Sequence, residues 1–536
     1  MNLSIYGIGS EARRTWLAVD LGVLFGNEEQ PGIDLVMPDV RFLAEERRNL
    51  VGIVLTHGHE DHLGALIDLW PQLRVPVYAT PFTAALFTAK RLGEPGAPDI
   101  PIQVVEQGSR FALGPFDIEI VPVAHSIPES NALIIRTALG TVLHTGDWKL
   151  DPTPVIGLPT DEARLRAVGD EGVLALVGDS TNAVREGRSP SEVDVAETLT
   201  ELITSAPGRV AVTTFASNVA RIRSAAVAAF AAGREVVVVG RAMERVIQVA
   251  RETGYLDGIG DFRSVDVYGH LPPDKVMALC TGSQGEARAA LARIAADEHP
   301  EVTLNEGDRV IFSSRTIPGN ERSVNRIING LVRMGIEVIT DRNRLVHVSG
   351  HPRRAELEQM YQWVRPRIAI PVHGEALHLR EHADLARRAG VAEVIICQDG
   401  DLVRLAPGPA GIVDEVPVAR LYKDGRILVE ADGRTVPERR RLGFAGVVSV
   451  AVAVTRNGEL AADPEVELTG IPPIDGDGVP MAEVAQAAAI ETFEQLPRAQ
   501  RRDADAIAES VTRGVRSAIA ARWTKKPVCH VHVLTV

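Results

Sequence analysis

Four residues of the kinds that bind zinc, His57, His59, Asp61 and His62, stand within six positions in LVGIVLTHGHEDHLGALIDLW. An apolar run ends there and a helical pattern begins, so THGHEDHLG reads as a short loop at the end of a strand. Imidazole and carboxylate are ligands that zinc accepts at about 2.0 to 2.2 Å, and a loop can fold neighbouring side chains around two centres. A solvated histidine-rich turn is the bland alternative, and HxHxDH spacing after a buried strand argues against it. Three further candidates also follow apolar runs: His125 in IEIVPVAHSIPES, Asp147 in TVLHTGDWKL and His373 in IAIPVHGE. His144, in the same LHTGD stretch, differs from Asp147 in strand parity and reads as a packing residue.

Residues so far apart need a scaffold that delivers several strand ends to one place. From residue 1 to about 180 the chain reads as short strands (TWLAVDLG, LVGIVLT, PVYAT, DIEIVPVAH, ALIIRT, GTVLHTGD, VLALVGD) with a few helices, a strand-rich α/β layer. From about 185 the pattern becomes apolar strand, Gly- or Ser-containing loop, amphipathic helix, as in RVAVTTFASNVARIRSAAVAAFAAG and VMALCTGSQGEARAALARIA, which predicts a doubly wound parallel sheet. Strands then return in LVHVSGH, RIAIPVHGE, VIICQDGDLVRL and RILVEADG, with histidines that complement the first set. One core split by an insertion is the economical reading: core over 1–184 and 348–435, insertion over 185–347. VPERRRLGF at 436–444 is expected to be a charged linker, and 445–536 a small α+β domain.

Composition excludes much else. At 536 residues the chain should hold about three domains, and 45% hydrophobic with 24% charged residues describes an ordinary globular protein. A net charge of -14 gives no general attraction to a polyanion, so any nucleic-acid contact must be local. Cys280, Cys397 and Cys529 have neither disulfide-framework nor CxxC spacing, and no signal peptide or run of about 18 apolar residues occurs, so a reducing cytoplasm and no membrane are expected.

HxHxDH followed by a lone His, an Asp in TGD and a later His resembles the metallo-β-lactamase superfamily. The resemblance implies that His57, His59 and His125 hold one metal, Asp61, His62 and His373 a second, and Asp147 bridges them, with Asp20 of WLAVDLG supporting the ligand loop from behind. Two metals about 3.5 to 4 Å apart can share a hydroxide at neutral pH and clamp both oxygens of a phosphodiester displacement. That signature alone fits a β-lactamase, a thioester hydrolase or a nuclease equally. LVGDSTNA, TTFASNVARI, LCTGSQGEARAALARIA, IPGNERSVNRIINGL, HVSGHP and PVHGE are narrower: in this order they resemble ribonuclease J, with the three motifs of its β-CASP insertion at Asp179, His351 and His373.

The resemblance implies an αββα metallo-β-lactamase sandwich, an inserted doubly wound β-CASP domain and a small α+β C-terminal domain. It implies a 5'-to-3' exoribonuclease that prefers 5'-monophosphorylated RNA and can cut internally, acting in mRNA decay and rRNA 5'-end maturation. Two zinc ions would serve it, manganese or magnesium being substitutes. Asp179, His351 and Asp61 are its catalytic candidates. His347, Val348, Ser349, Gly350 and His351 are expected to cradle a terminal phosphate. Ser217, Asn218, Arg221, Ser283, Gln284, Asn320 and Arg322 can meet RNA phosphates from strand-to-helix loops, although capping by Ser217, Ser283 and Asn320 would explain those three as well. A homodimer or homotetramer assembled through 445–536 and partners in an RNA-degradation complex are expected on the same ground. Three departures stand out: the chain begins late relative to the family pattern, and Ala220 and Ala376 replace an expected histidine and aromatic residue. The competing classes are a small-molecule ester or lactam hydrolase of the same fold and a non-catalytic RNA-binding subunit.

Overall fold

The computed structural model describes every residue except Glu11, Ala12 and Pro318. Two compact units divide the chain, Met1–Leu24 with Met37–Arg420, and Phe25–Val36 with Leu421–Val536. The first contains two sheets that share a core. One runs Ser4–Ser10, Arg13–Val19, Leu50–Val54, Val77–Ala79 and Ile102–Val104 in spatial order. The other runs Glu393–Val394, Ile368–Val372, Ala175–Asp179, Gly140–His144, Asn131–Thr137, Phe116–Pro122 and Arg110–Leu113. Leu17, Val19 and Val54 from the first meet Ile118, Leu133, Val177 and Ile370 from the second in one apolar layer, the alternation of each strand placing these side chains inward. The far face of the seven-stranded sheet is covered by helices Glu162–Glu171, Arg354–Val364 and Ala376–Arg388, whose Leu165, Trp363 and Leu385 join Leu143 and Leu176.

Between the two stretches that build the seven-stranded sheet lies a separate five-stranded parallel sheet, in the order Glu235–Val239, Val276–Cys280, Val210–Thr213, Arg309–Phe312 and Glu337–Ile339. Its three inner strands are buried along their whole length, as parallel strands under two helix layers must be, while the edge strand Glu337–Ile339 exposes Glu337. This is the doubly wound sheet predicted for the insertion. LVHVSGH, expected to be a strand, is not one: Leu345–His351 has no ladder partner and runs as irregular backbone with Val346 and Val348 pinned in the insertion's core.

The second unit has a three-stranded sheet, Glu465–Thr469, Val447–Val454 and Val528–Thr535 in that order, with helices Met481–Gln495 and Ala504–Trp523 against Val448, Val450 and Val452. The stretch expected as a linker is instead part of helix Thr435–Ala445, which buries Val436 against Ile33, Val36 and Tyr422. Charge density in ERRR suggested a solvated connection; the helix instead buries Val436 and Ala445 and leaves Glu438, Arg440 and Arg441 exposed.

Candidate metal centre

Parallel pairing brings the predicted residues to one end of the first unit. Arg13–Val19 pairs with Leu50–Val54 so that Val19 is opposite Val54, and Asp20 and Thr56 leave the strands together. Asp179 ends its strand opposite Val372, with His373 next in the chain. His144 ends its own strand opposite Val177, and Asp147 follows by three residues. His57 and His59 sit on the loop, and Asp61 and His62 on the four-residue helix Glu60–Leu63. Asp20 has a left-handed backbone (φ 63°) that turns its carboxylate back to accept from the Thr56 amide at 2.8 Å, the Thr56 hydroxyl at 2.9 Å and His62 Nδ1 at 2.7 Å.

Asp147 Oδ2 is the hub. His62 Nε2 lies 3.2 Å from it, His373 Nε2 3.4 Å, His125 Nε2 3.7 Å, and His57 Nε2 and His351 Nδ1 3.8 Å. The nitrogens of His57, His59 and His125 crowd together at 3.0 to 3.1 Å. Hydrogen bonds on the outer side fix the tautomers. His125 Nδ1 donates to the Gly350 carbonyl at 2.7 Å, His62 Nδ1 to Asp20, and His373 Nδ1 to Asn2 Oδ1 at 2.7 Å. Thr56 Oγ1, whose hydrogen goes to Asp20, accepts from His57 Nδ1 at 3.0 Å. Each of these four rings therefore turns an Nε2 lone pair inward. Imidazole lone pairs pointed at one another are repulsive unless a cation stands among them, so the donor set fits a metal.

Two groups have ligand atoms within 4.8 Å of one another, His57 with His59, His125 and Asp147, and Asp61 with His62, Asp147 and His373. A third, Asp147, Asp179, His351 and His373, overlaps the second. Burial and neighbouring imidazoles push the pKa of His57 and His125 well down, and burial takes His59 to about 4. Burial would raise Asp61 and Asp147, but His62 and His373 around them outweigh it and hold both well below the usual carboxylate range. Conversely burial would lower His62, but Asp147, Asp61 and Asp20 outweigh it and raise it. The carboxylates thus set a field that attracts positive charge, a proton or a metal competing for the same atoms. His351 gives Nδ1 to Asp179 Oδ2 at 2.8 Å.

The other predicted contacts divide. Ser349 and His351 lie beside the centre, partly exposed, and His347 has a buried Nδ1 without a hydrogen-bond partner. Val348 is packed in the insertion core, so its side chain is not available to substrate. Gly350, expected as part of the phosphate cradle, packs against His125, whose Nδ1 would sit 2.4 Å from a Cβ. Arg221 is corrected outright: it is 0% exposed and spends its guanidinium on Glu192, Ser313 and the Val346 carbonyl. Asn218, also buried, caps helix Val219–Ala231 by accepting from the Arg221 amide, the role expected of Ser217. Ser283 is buried and starts no helix, and Asn320 stands at a helix start without a capping bond. Gln284 holds the loop ahead of that helix, through the Arg315 carbonyl and the Ile317 amide. Ser217 is partly exposed and Arg322 exposed. His144 is buried and bonded to the Tyr6 hydroxyl at 2.8 Å. Sequence reasoning passed over Asn2, Thr56 and Asn182, the last inside the quoted LVGDSTNA; amide and hydroxyl residues in a loop carry no signal until their partners are known.

Family models match four stretches: a β-lactamase superfamily domain over 30–166, the ribonuclease J β-CASP domain over 207–331, a Zn-dependent metallo-hydrolase RNA specificity domain over 335–397 and the ribonuclease J C-terminal domain over 434–536. A ribonuclease J of Sinorhizobium meliloti is 53% identical over 536 residues, covering 100% of this chain and 95% of its own. The chain belongs to the ribonuclease J family. Two other ribonuclease J proteins, from Corynebacterium glutamicum and Mycolicibacterium smegmatis, are each 40% identical over 96% of this chain, and over 71% and 91% of their own. The architecture is accordingly a metallo-β-lactamase domain with an inserted β-CASP domain and a ribonuclease J C-terminal domain. A crystal structure of a protein of unknown function from Enterococcus faecalis V583 shares the fold, with a TM-score of 0.52 and 16% identity over 76% of this chain and 96% of that one. Among the described residues no helix is long and apolar enough to cross a membrane.

Proposed function

We propose that this member of the ribonuclease J family is a 5'-to-3' exoribonuclease, selective for a 5'-monophosphate and able to cut internally, that works with two zinc ions. The hydrolysis of RNA by a metal-dependent enzyme is the family's activity; the selectivity, polarity and metal count are the proposal. The observation that carries it is the convergence of five histidine rings, those of His57, His62, His125, His351 and His373, on Asp147 Oδ2, with the partly exposed Ser349 alongside. His57, His59 and His125 would hold one ion, Asp61, His62 and His373 the other, and Asp147 both. Bound there, the pair supplies Lewis acidity and a water acidic enough to attack phosphorus at neutral pH.

The chain's own side chains do the positioning. Asp179 fixes His351 through Nδ1, so His351 meets the scissile phosphate or the leaving oxygen through Nε2. Ser349 and the backbone around Gly350 take the terminal phosphate, and anchoring it sets the first phosphodiester over the metals, a placement able to supply several kcal/mol. A pocket sized for one phosphate has neither room nor counter-charge for two more. Internal cleavage does not use it. The proposed domain limits are 1–184 and 348–435 for the core, less the stretches Phe25–Val36 and 421–435 that fold in the second unit, and 185–347 for the insertion, and 445–536 are assigned to assembly of a dimer or tetramer.

One RNA bearing a 5'-monophosphate, a 5'-triphosphate or a 5'-hydroxyl tests the selectivity, with products resolved by length. The monophosphate should be shortened processively and the triphosphate slowly. Ser349→Ala should impair decay from the monophosphorylated end more than internal cutting, and His57→Ala should abolish both. Equal rates on monophosphate and triphosphate would sink the end-selective pocket.

A further inference from the structure

A serine hydroxyl can accept two hydrogen bonds and donate one. At Ser349 both acceptor positions are occupied, by Asn182 Nδ2 at 2.9 Å and by the His351 amide at 3.4 Å. The orientation of the Asn182 amide follows from a third contact. Its nitrogen also lies 3.2 Å from the His351 carbonyl oxygen, which can only accept. An amide oxygen in that place would set two acceptors against each other, so the nitrogen faces inward, with one hydrogen on the His351 carbonyl and one on Ser349. Among the described residues the Ser349 hydrogen then finds no acceptor. Asn182 is buried and Ser349 partly exposed beside the metal centre, so that hydrogen points to whatever occupies the site.

We propose that Asn182 is a specificity-determining positioning residue, which fills the acceptor side of Ser349 and so commits its hydroxyl to donate to an oxygen of the 5'-terminal phosphate of RNA. This rests on the terminal-phosphate reading above. It adds a reason for selectivity: an occupant whose nearest atom is a donor, or a carbon, leaves the Ser349 hydrogen unsatisfied, whereas a phosphate oxygen satisfies it with a charge-assisted bond.

The isosteric change Asn182→Asp reverses the polarity, because a carboxylate can only accept and draws the Ser349 hydrogen inward. In the full-length, zinc-loaded enzyme, KM and kcat are measured on linear RNA with a 5'-monophosphate or 5'-hydroxyl and on circular RNA. Asn182→Asp should raise KM for the monophosphate about tenfold or more, the scale of one hydrogen bond to a charged group, and erase the preference over the 5'-hydroxyl. In the Ser349→Ala background the same change should no longer alter the preference for the monophosphate, although losing the bond to the His351 carbonyl acts on every substrate alike. An additive effect on that preference, or a rise of KM on circular RNA equal to that on the monophosphate, overturns the role of Asn182. Should Asn182→Asp not fold, as a melting curve will show, Asn182→Ala supplies the same cycle. Ser349→Ala that loses the preference while both Asn182 variants keep it removes Asn182 alone; Ser349→Ala that keeps the preference removes the phosphate pocket, and Asn182 with it.

Discussion

His125 has two neighbours to satisfy, Asp147 on its Nε2 side and the Gly350 carbonyl on its Nδ1 side. A methyl group at position 350 would begin 2.4 Å from that ring, so the ring must move and its tautomer lock is lost. We therefore expect Gly350→Ala to weaken the metal bound by His57, His59 and His125 by about 10- to 100-fold, the usual effect of losing a partner behind a metal ligand. Elemental analysis should read two ions per chain in the parent and close to one in the variant, with RNA cleavage falling in step. Two ions and full activity in Gly350→Ala would refute the coupling. The ligand candidates themselves were legible because HxHxDH and TGD are dense in rare, chemically specific residues. Gly350 was noticed as part of a phosphate cradle and not for His125: that contact is 225 residues away, and nothing local announces a histidine as the group that needs the space.

At the scale of elements, the start of helix Val219–Ala231 carries a buried charge ladder. Arg221 bonds Glu192 at 3.0 Å, and Lys149 lies 3.5 Å from Glu192 and 2.9 Å from Asp151, all four fully buried. Removing one member strands the others away from water, so Arg221→Ala should cost about 3 to 5 kcal/mol of stability. A lowered Tm with an unchanged salt dependence of RNA binding is the expected pair of results; a shallower salt slope at unchanged Tm would restore Arg221 as a phosphate contact. Asp151 also shapes the acid limb. Burial would raise its pKa, but Lys149, the Ser191 hydroxyl and the Glu192 amide outweigh it and lower it. A carboxyl depressed in the folded state contributes stability above its unfolded value near 3.9, and that contribution is lost as pH falls through the folded value. Asp151→Asn should thus be less stable at neutral pH and lose less on acidification, as denaturant titrations at several pH values would show. Helical and strand periods made most elements readable. The ends were not, because Asn218 and Ser217 are equally good caps by composition and packing alone chose between them.

Over the whole molecule, the C-terminal sheet and its helices form a core of their own around Val448, Val450, Phe493 and Val511, while Thr435–Ala445 is tied to a segment near the N-terminus. Ending the chain at Arg434 removes both. If 445–536 carry assembly, light scattering on that shortened protein should give a monomer's mass, and its Tm should drop because Ile33 and Val36 lose Val436. A mass equal to that of the full chain would place assembly elsewhere. The split core was legible in the sequence because chemistry-bearing residues occur on both sides of the insertion. The second interruption was not. QPGIDLVMP is short and carries no reactive side chain, so nothing in it signals a strand that belongs with the far end of the chain.

That second interruption sets a schedule for biosynthesis. Some 385 residues separate Val36 from Leu421, the pieces that fold together. At a translation rate on the order of 5 to 20 residues per second, Phe25–Val36 emerges roughly 20 to 80 seconds before its partner exists. During that interval Ile33 and Val36 have no native surface to cover them. The nascent chain can finish its metal-binding loop and its inserted sheet on the ribosome, but this short segment must wait, exposed to chaperones and to neighbouring nascent chains, until the last fifth of the protein has been made.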